Sequence, residues 1–332
     1  MGKRFLRSIV SDFQPLTASA DITPVDLPVN PLSQLVLTLA LTKNVASQAT
    51  NLGQLLRAIV QQITEVSVRH RGELIIQGTL QDLMVMNTIL CGTPPSVGEI
   101  AQADNQVQFV SIPISFSRIP YWHGEAFPAT NRGNLRFHMT AGAINALYDA
   151  ASWSLEAIEL IEDEPSSYLK YTTLTRTIAA TGRQRIPLPI GNPLLGMLLY
   201  DPNDEIDSTM SYAFGKVKLM KDNVEQYYAE SNWESLRDNM TRRCPSYLHS
   251  FGHVHALAAA DTVTGEEQVV VADTPPLQYG YLDFDPLKDG SYSLETRGAA
   301  SLDLDMNADV AGSAVVRVIP VELIQVPGAP TA

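Results

Sequence analysis

Three histidines stand close together in His249-Ser-Phe-Gly-His253-Val-His255. On a strand, His253 and His255 would share one face, because side chains alternate. That spacing occurs at some zinc and iron sites. A barrel-type metal site also wants a carboxylate and a third imidazole, and no Glu follows within a few residues. A half-exposed strand with hydrogen-bonded histidines is the plainer reading. Asp303, Asp305, Asn307 and Asp309 alternate like the opening of a calcium loop, yet the sixth place has no Gly and the twelfth no Glu. They fit a strand with a solvated polar face, leaving Asp303, Asp305, His253 and His255 as weak metal candidates and no cofactor expected. Asp201, Asp204, Glu205 and Asp207 read as an exposed acidic loop.

Nucleophile chemistry finds no better support. The chain has no Walker loop, no G-x-S-x-G elbow, no H-E-x-x-H and no C-x-x-C. Cys91 and His123 are the nearest to a nucleophile pair, and nothing in their flanks activates a thiol. Cys91 and Cys244 are too few for a disulfide framework and read as small buried hydrophobes, with one bridge left open. Asn239-Met-Thr matches a glycosylation sequon, which means little without a secretion signal. No catalytic residue is expected, and the chain reads as a non-enzyme.

The elements that would hold these residues are mostly strands. The 332 residues are 45% hydrophobic and 18% charged, enough for a real core and about two domains. Net charge is −13, which argues against coating nucleic acid. No apolar run approaches the roughly 20 residues of a membrane helix. Strand patterns cover Ile22–Val29, Leu35–Thr42, Glu65–Arg71, Leu74–Ile76, Phe109–Phe116, Leu135–Met139 and Leu155–Ile161. Helical spacing appears at Ala49–Ile63, Thr79–Leu90, Glu225–Met240 and, briefly, Ala143–Ala151. The first residues differ from the rest. Lys3, Arg4 and Arg7 are interleaved with Phe5, Leu6, Ile9 and Val10; the plainer reading is a frayed or docked terminus, the sharper one an arm that touches a neighbouring subunit or an anionic membrane.

The sequence also repeats itself. Leu27-Pro-Val-Asn-Pro-Leu matches Leu188-Pro-Ile-Gly-Asn-Pro-Leu, with one insertion. Glu65-Val-Ser-Val, followed by Thr79-Leu-Gln-Asp-Leu, matches Lys216-Val-Lys-Leu, followed by Trp233-Glu-Ser-Leu. Arg132–Met139 matches Arg297–Met306, and Ser152–Ile161 matches Ala314–Ile324. The four matches are collinear, at an offset of about 160 residues, which is the size of an eight-stranded antiparallel sandwich with its loops. The expected organisation is an N-terminal arm 1–20, a first sandwich 21–162, a linker region 163–182, a second sandwich 183–327 and a tail 328–332.

Two tandem sandwiches in one acidic chain, each with a helix between strands, resemble the double jelly-roll major capsid proteins of tailless icosahedral viruses that enclose an internal membrane, the phage and adenovirus-like lineage. The resemblance rests on the paired segments above and covers nearly the whole chain. It implies a mainly β double jelly roll with few short helices. It also implies a structural capsid role in the virion shell after assembly in the host cytoplasm. The implied state is a homotrimer forming a pseudo-hexagonal capsomer. Its implied partners are neighbouring capsomers, minor capsid proteins and, through Lys3, Arg4, Phe5 and Arg7, a neighbour or the internal membrane. Sequence-specific nucleic-acid binding is not implied. Two other readings stay open: a bicupin-type metal enzyme at His253 and His255, and a two-sandwich adhesin or spike with Tyr121, Trp122 and Trp233 as sugar platforms.

Overall fold

Alternating apolar residues give each strand one buried face, and two such faces must close on each other. The chain does this twice. The computed structural model describes residues 4–44, 56, 59–92, 95–97, 105–146, 148–161, 164–203, 212–243, 278–309 and 314–327. The described residues divide into two compact units, split at Ser166 and Ser167.

The first unit contains β1 (Arg4–Pro15), β2 (Val25–Asp26), β3 (Leu32–Lys43), β4 (Ile63–His70), β5 (Glu73–Gly78), α1 (Leu80–Cys91), β6 (Ser96–Val97), β7 (Val107–Ser115), β8 (Leu135–Ala141) and β9 (Tyr148–Ile161). One sheet runs β1-β9-β3-β7-β6; facing strands run in the order β2-β8-β4-β5. Leaving aside the two-residue β6, the spatial order is first, eighth, third, sixth in one sheet and second, seventh, fourth, fifth in the other. This is the order of a jelly roll. Leu35, Leu37, Leu39, Val110, Ile112 and Leu155 are all fully buried. Across the sandwich, the rings of Phe137 and Trp153 lie 6.2 Å apart. Helix α1 starts on a capping box, with Asp82 N–H donating to Thr79 Oγ1 and Thr79 N–H to Asp82, and stops at Gly92 with φ +68°.

The second unit contains β10 (Ser167–Thr172), β11 (Leu174–Ile178), β12 (Gly182–Pro187), β13 (Leu194–Tyr200), β14 (Lys216–Lys221), β15 (Val224–Glu225), β16 (Ser231–Asn232), α2 (Trp233–Arg243), β17 (Tyr279–Asp283), β18 (Leu302–Ala308) and β19 (Ala314–Gln325). Its strands run β17-β13-β19-β10, with β11 also on β19, and β12-β18-β14-β15, with β16 also on β14. Counting β10 and β11 as one interrupted strand, the order is the same as in the first unit. The interruption has a local correlate. Val321 faces Tyr171 and Val318 faces Leu174, so Pro320, which has no N–H, stands opposite the break. The core centres on Trp233, stacked on Phe214 at 5.5 Å and 13°.

All four repeat matches coincide in register. Leu27 and Leu188 each donate a backbone bond to the first residue of the penultimate strand, Leu135 and Leu302. Val66 faces Met139 as Val217 faces Met306. Leu32 faces Glu159 as Leu194 faces Glu322.

Several sequence expectations change. Residues 4–15, read as an arm, form β1, the first strand of the first jelly roll. Residues 163–182, read as a linker region, carry β10 and β11, which play the same part in the second. Ala143–Ala151 is no helix, since β9 begins at Tyr148. The helix expected from Glu225 starts only at Trp233, because Val224–Glu225 and Ser231–Asn232 pair with β14. The Ile22–Val29 strand shrinks to Val25–Asp26, flanked by Pro24 and by Leu27-Pro28. The tail 328–332 and most of the Ala49–Ile63 helix lie outside the described residues.

Candidate functional site

The residues expected to contact a neighbour or membrane are placed by β1. Lys3 lies outside the described residues; Arg4, Phe5 and Arg7 pair with Ile161, Leu160 and Ile158 of β9. The Arg7 guanidinium forms an ion pair with Glu156. Ser8 Oγ donates to Glu159 at 2.6 Å. β1 ends its sheet, so its outer edge has no partner strand among the described residues. Along it Phe5, Leu6, Ile9 and Phe13 are all exposed, Ile9 to 65%. The Phe5 ring meets Tyr121 edge-on at 5.0 Å, and Phe13 meets Phe109 at 6.1 Å. An exposed, apolar sheet edge is a template for association.

The metal candidates fare differently. Asp305 is 3% exposed and takes two bonds from Arg183 Nε, at 2.8 and 2.7 Å. Arg185 lies 3.7 Å from Asp305 and 3.9 Å from Asp303. The Arg183 hydrogen bond, with the charges of Arg183, Arg185 and Lys218, holds the Asp305 carboxyl below the usual carboxylate range despite burial. Its negative charge is met by side-chain cations, which leaves calcium little to neutralise. Among the described residues no three metal-ligating side chains come together. His249, His253 and His255 lie outside them, as do Asp204, Glu205 and Asp207.

Asp201 is structural. Its carboxylate accepts from Asn203 N–H at 2.9 Å and Phe214 N–H at 3.0 Å, and burial raises its pKa against those bonds. Cys91 Sγ lies 3.3 Å from Ser115 Oγ, which supplies no base; Cys244 is outside the described residues. The sugar platform dissolves as a group. Trp233 is fully buried, Tyr121 contacts Phe5, and Trp122 lies under the Arg118 guanidinium at 5.8 Å.

Two eight-stranded jelly rolls in tandem, each with a helix between its fifth and sixth strands, define a double jelly-roll protein. No protein-family profile matches the sequence, and no curated protein matches it. Solved structures do match over almost the full length. The major capsid protein of Sulfolobus turreted icosahedral virus superposes with a TM-score of 0.66 at 12% identity, covering 97% of each chain. The major capsid protein of bacteriophage PM2 gives 0.59 at 12% identity, covering 98% of this chain and 100% of that one. The PBCV-1 virus capsid gives 0.58 at 8% identity, covering 97% and 94%. These likenesses establish the fold.

Proposed function

We propose that the protein is the major capsid protein of an icosahedral virus, with a structural and not a catalytic role in the virion shell. The observation that carries this is the end-to-end match of both jelly rolls, in one chain, to viral major capsid proteins. In this reading three chains form a capsomer with six barrels. The capsomers pack beside one another and beside minor capsid proteins, and the shell is assembled in the host cytoplasm. The exposed β1 edge, with Phe5 and Leu6 between Arg4 and Arg7 and Ile9 just beyond, supplies a contact to a neighbouring capsomer or an internal membrane. Obligate interfaces of this kind bury more than about 2,000 Å². Light scattering on the purified chain tests it directly. A trimer that persists on dilution and builds hexagonal arrays under the electron microscope is expected. A well-folded monomer at micromolar concentration overturns the proposal.

A further inference from the structure

The outer face of the first unit's β2-β8-β4-β5 strands carries an arrangement that the fold does not require. Arg69 on β4 stands directly opposite Arg136 on β8. Like charges in opposed cross-strand positions are destabilising. A register shift between Val68 and Arg69 sits at this same point, where a bulge re-aims side chains. The next turn adds a third guanidinium. Arg71, at φ +51°, and Gly72, at φ +88°, close the β4–β5 hairpin, and Arg71 N–H donates to Asn134 O at 2.8 Å. Among the described residues only one carboxylate answers them: Asp26 accepts from Arg136 Nε at 3.0 Å. Arg69 and Arg71 have no carboxylate partner among the described residues.

These groups surround a cleft of about 500 Å³, completed by His138 and by the Gly72 and Gly133 backbone. A methyl group added at Gly72 would meet nothing within 4 Å. The second jelly roll is the internal control. At the positions equivalent to Arg69 and Arg136 it has Met220 and Asp303, and at those of Ser67 and His138 it has Lys218 and Asp305. There acids and cations alternate and neutralise each other. The three-arginine cluster, met by the single carboxylate of Asp26 among the described residues, thus belongs to the first unit, in a protein of charge −13.

We infer that the Arg69–Arg71–Arg136 cleft binds a phosphate-class oxyanion. Guanidinium forks match phosphate oxygens bidentately, and an anion between Arg69 and Arg136 turns their repulsion into a bridge. The phosphate has two sources, free in solution or on an anionic lipid headgroup. The inference stands on the cleft alone and is independent of what the protein assembles into.

The test uses the full-length protein in chloride buffer at constant ionic strength. Calorimetric titration with inorganic phosphate is compared with co-sedimentation on phosphatidylglycerol and phosphatidylcholine vesicles. Saturable phosphate binding, weakened at least about tenfold by Arg69→Gln and less by Arg69→Lys, assigns the site to the free anion. Retention on phosphatidylglycerol but not phosphatidylcholine, lost in Arg69→Gln without free-phosphate binding, assigns it to the headgroup. Arg69 is exposed, so Arg69→Gln should fold, and its Tm in phosphate-free buffer should equal or exceed that of the parent. The inference is overturned if neither ligand binds saturably, or if Arg297→Gln, in the second unit and outside the cleft lining, weakens binding as much as Arg69→Gln does.

Discussion

Asn30 Nδ2 donates to Glu159 Oε2 at 2.7 Å, and in the second jelly roll Asn192 Nδ2 donates to Glu322 Oε2 at 2.8 Å. Each Asn precedes a Pro whose carbonyl accepts from the residue after that Glu, Leu160 in one unit and Leu323 in the other. Each Pro precedes a Leu that bridges back to the loop or strand before the seventh strand, at Phe127 and Leu294. The Asn-Pro-Leu step therefore locks the third strand of each unit against its last.

Glu159 and Glu322 are 4% and 5% exposed, so their carboxylates depend on these donors. Asn30→Ala or Asn192→Ala removes a charged hydrogen bond from a buried group, and each is expected to destabilise its own jelly roll by about 1–3 kcal/mol. Thermal unfolding of the two variants and their double checks this. Costs that add in the double support independent locks. A Tm unchanged in both singles contradicts the assignment.

The Trp233 ring fills the centre of the second core, and Gly280 is its counterpart. A Cβ on Gly280 would sit 2.9 Å from Trp233 Cζ3. Trp233→Ala is expected to cost about 3–5 kcal/mol through lost burial and the cavity left behind. Gly280→Ala should also destabilise, by overpacking. Denaturation should show the loss for both; a neutral Gly280→Ala would mean that the ring has room to move.

The repeat was legible because it falls on strands buried on one face, where Leu, Val and Met recur at fixed register, as in Val66 and Val217. The first strand of each unit was not. All of β1 is exposed or half-buried, so its sequence carries no inward-facing stripe. β10 and β11 are split and Thr-rich, and read as a linker. Trp233 looked like a surface platform because α2 is polar overall, while its aromatic end is tucked under β17. The Arg69–Arg136 pairing was invisible, because only register brings residues so far apart in sequence face to face.

Asp305 ties stability to pH. Its folded-state pKa lies below the unfolded carboxylate value of about 3.9, so its contribution is complete above that value and is lost as pH falls through the folded-state pKa. Asp305→Asn should lower the Tm at neutral pH and flatten its decline in acid. Equal acid-limb slopes for parent and variant below about pH 4 would remove Asp305 from the account.

The β1 edge supports the last prediction. Phe5 and Ile9 are 61% and 65% exposed, so replacing both with Ser sacrifices little burial within the chain. Exposed substitutions of this kind usually change stability by no more than about 0.5 kcal/mol. Deleting residues 2–10 is a different experiment. It removes most of the residues of β1 that pair with β9, the Arg7–Glu156 ion pair and the Ser8–Glu159 bond, and it bares that stretch of β9. The deletion is therefore expected to destabilise the first jelly roll, whereas Phe5→Ser with Ile9→Ser leaves the fold intact and, on the proposed capsid role, spares the proposed trimer and impairs shell assembly. Light scattering and thermal melts report the first part, and particle counts by electron microscopy report the second. Normal particles from the double variant would show that this apolar edge contacts nothing in the shell.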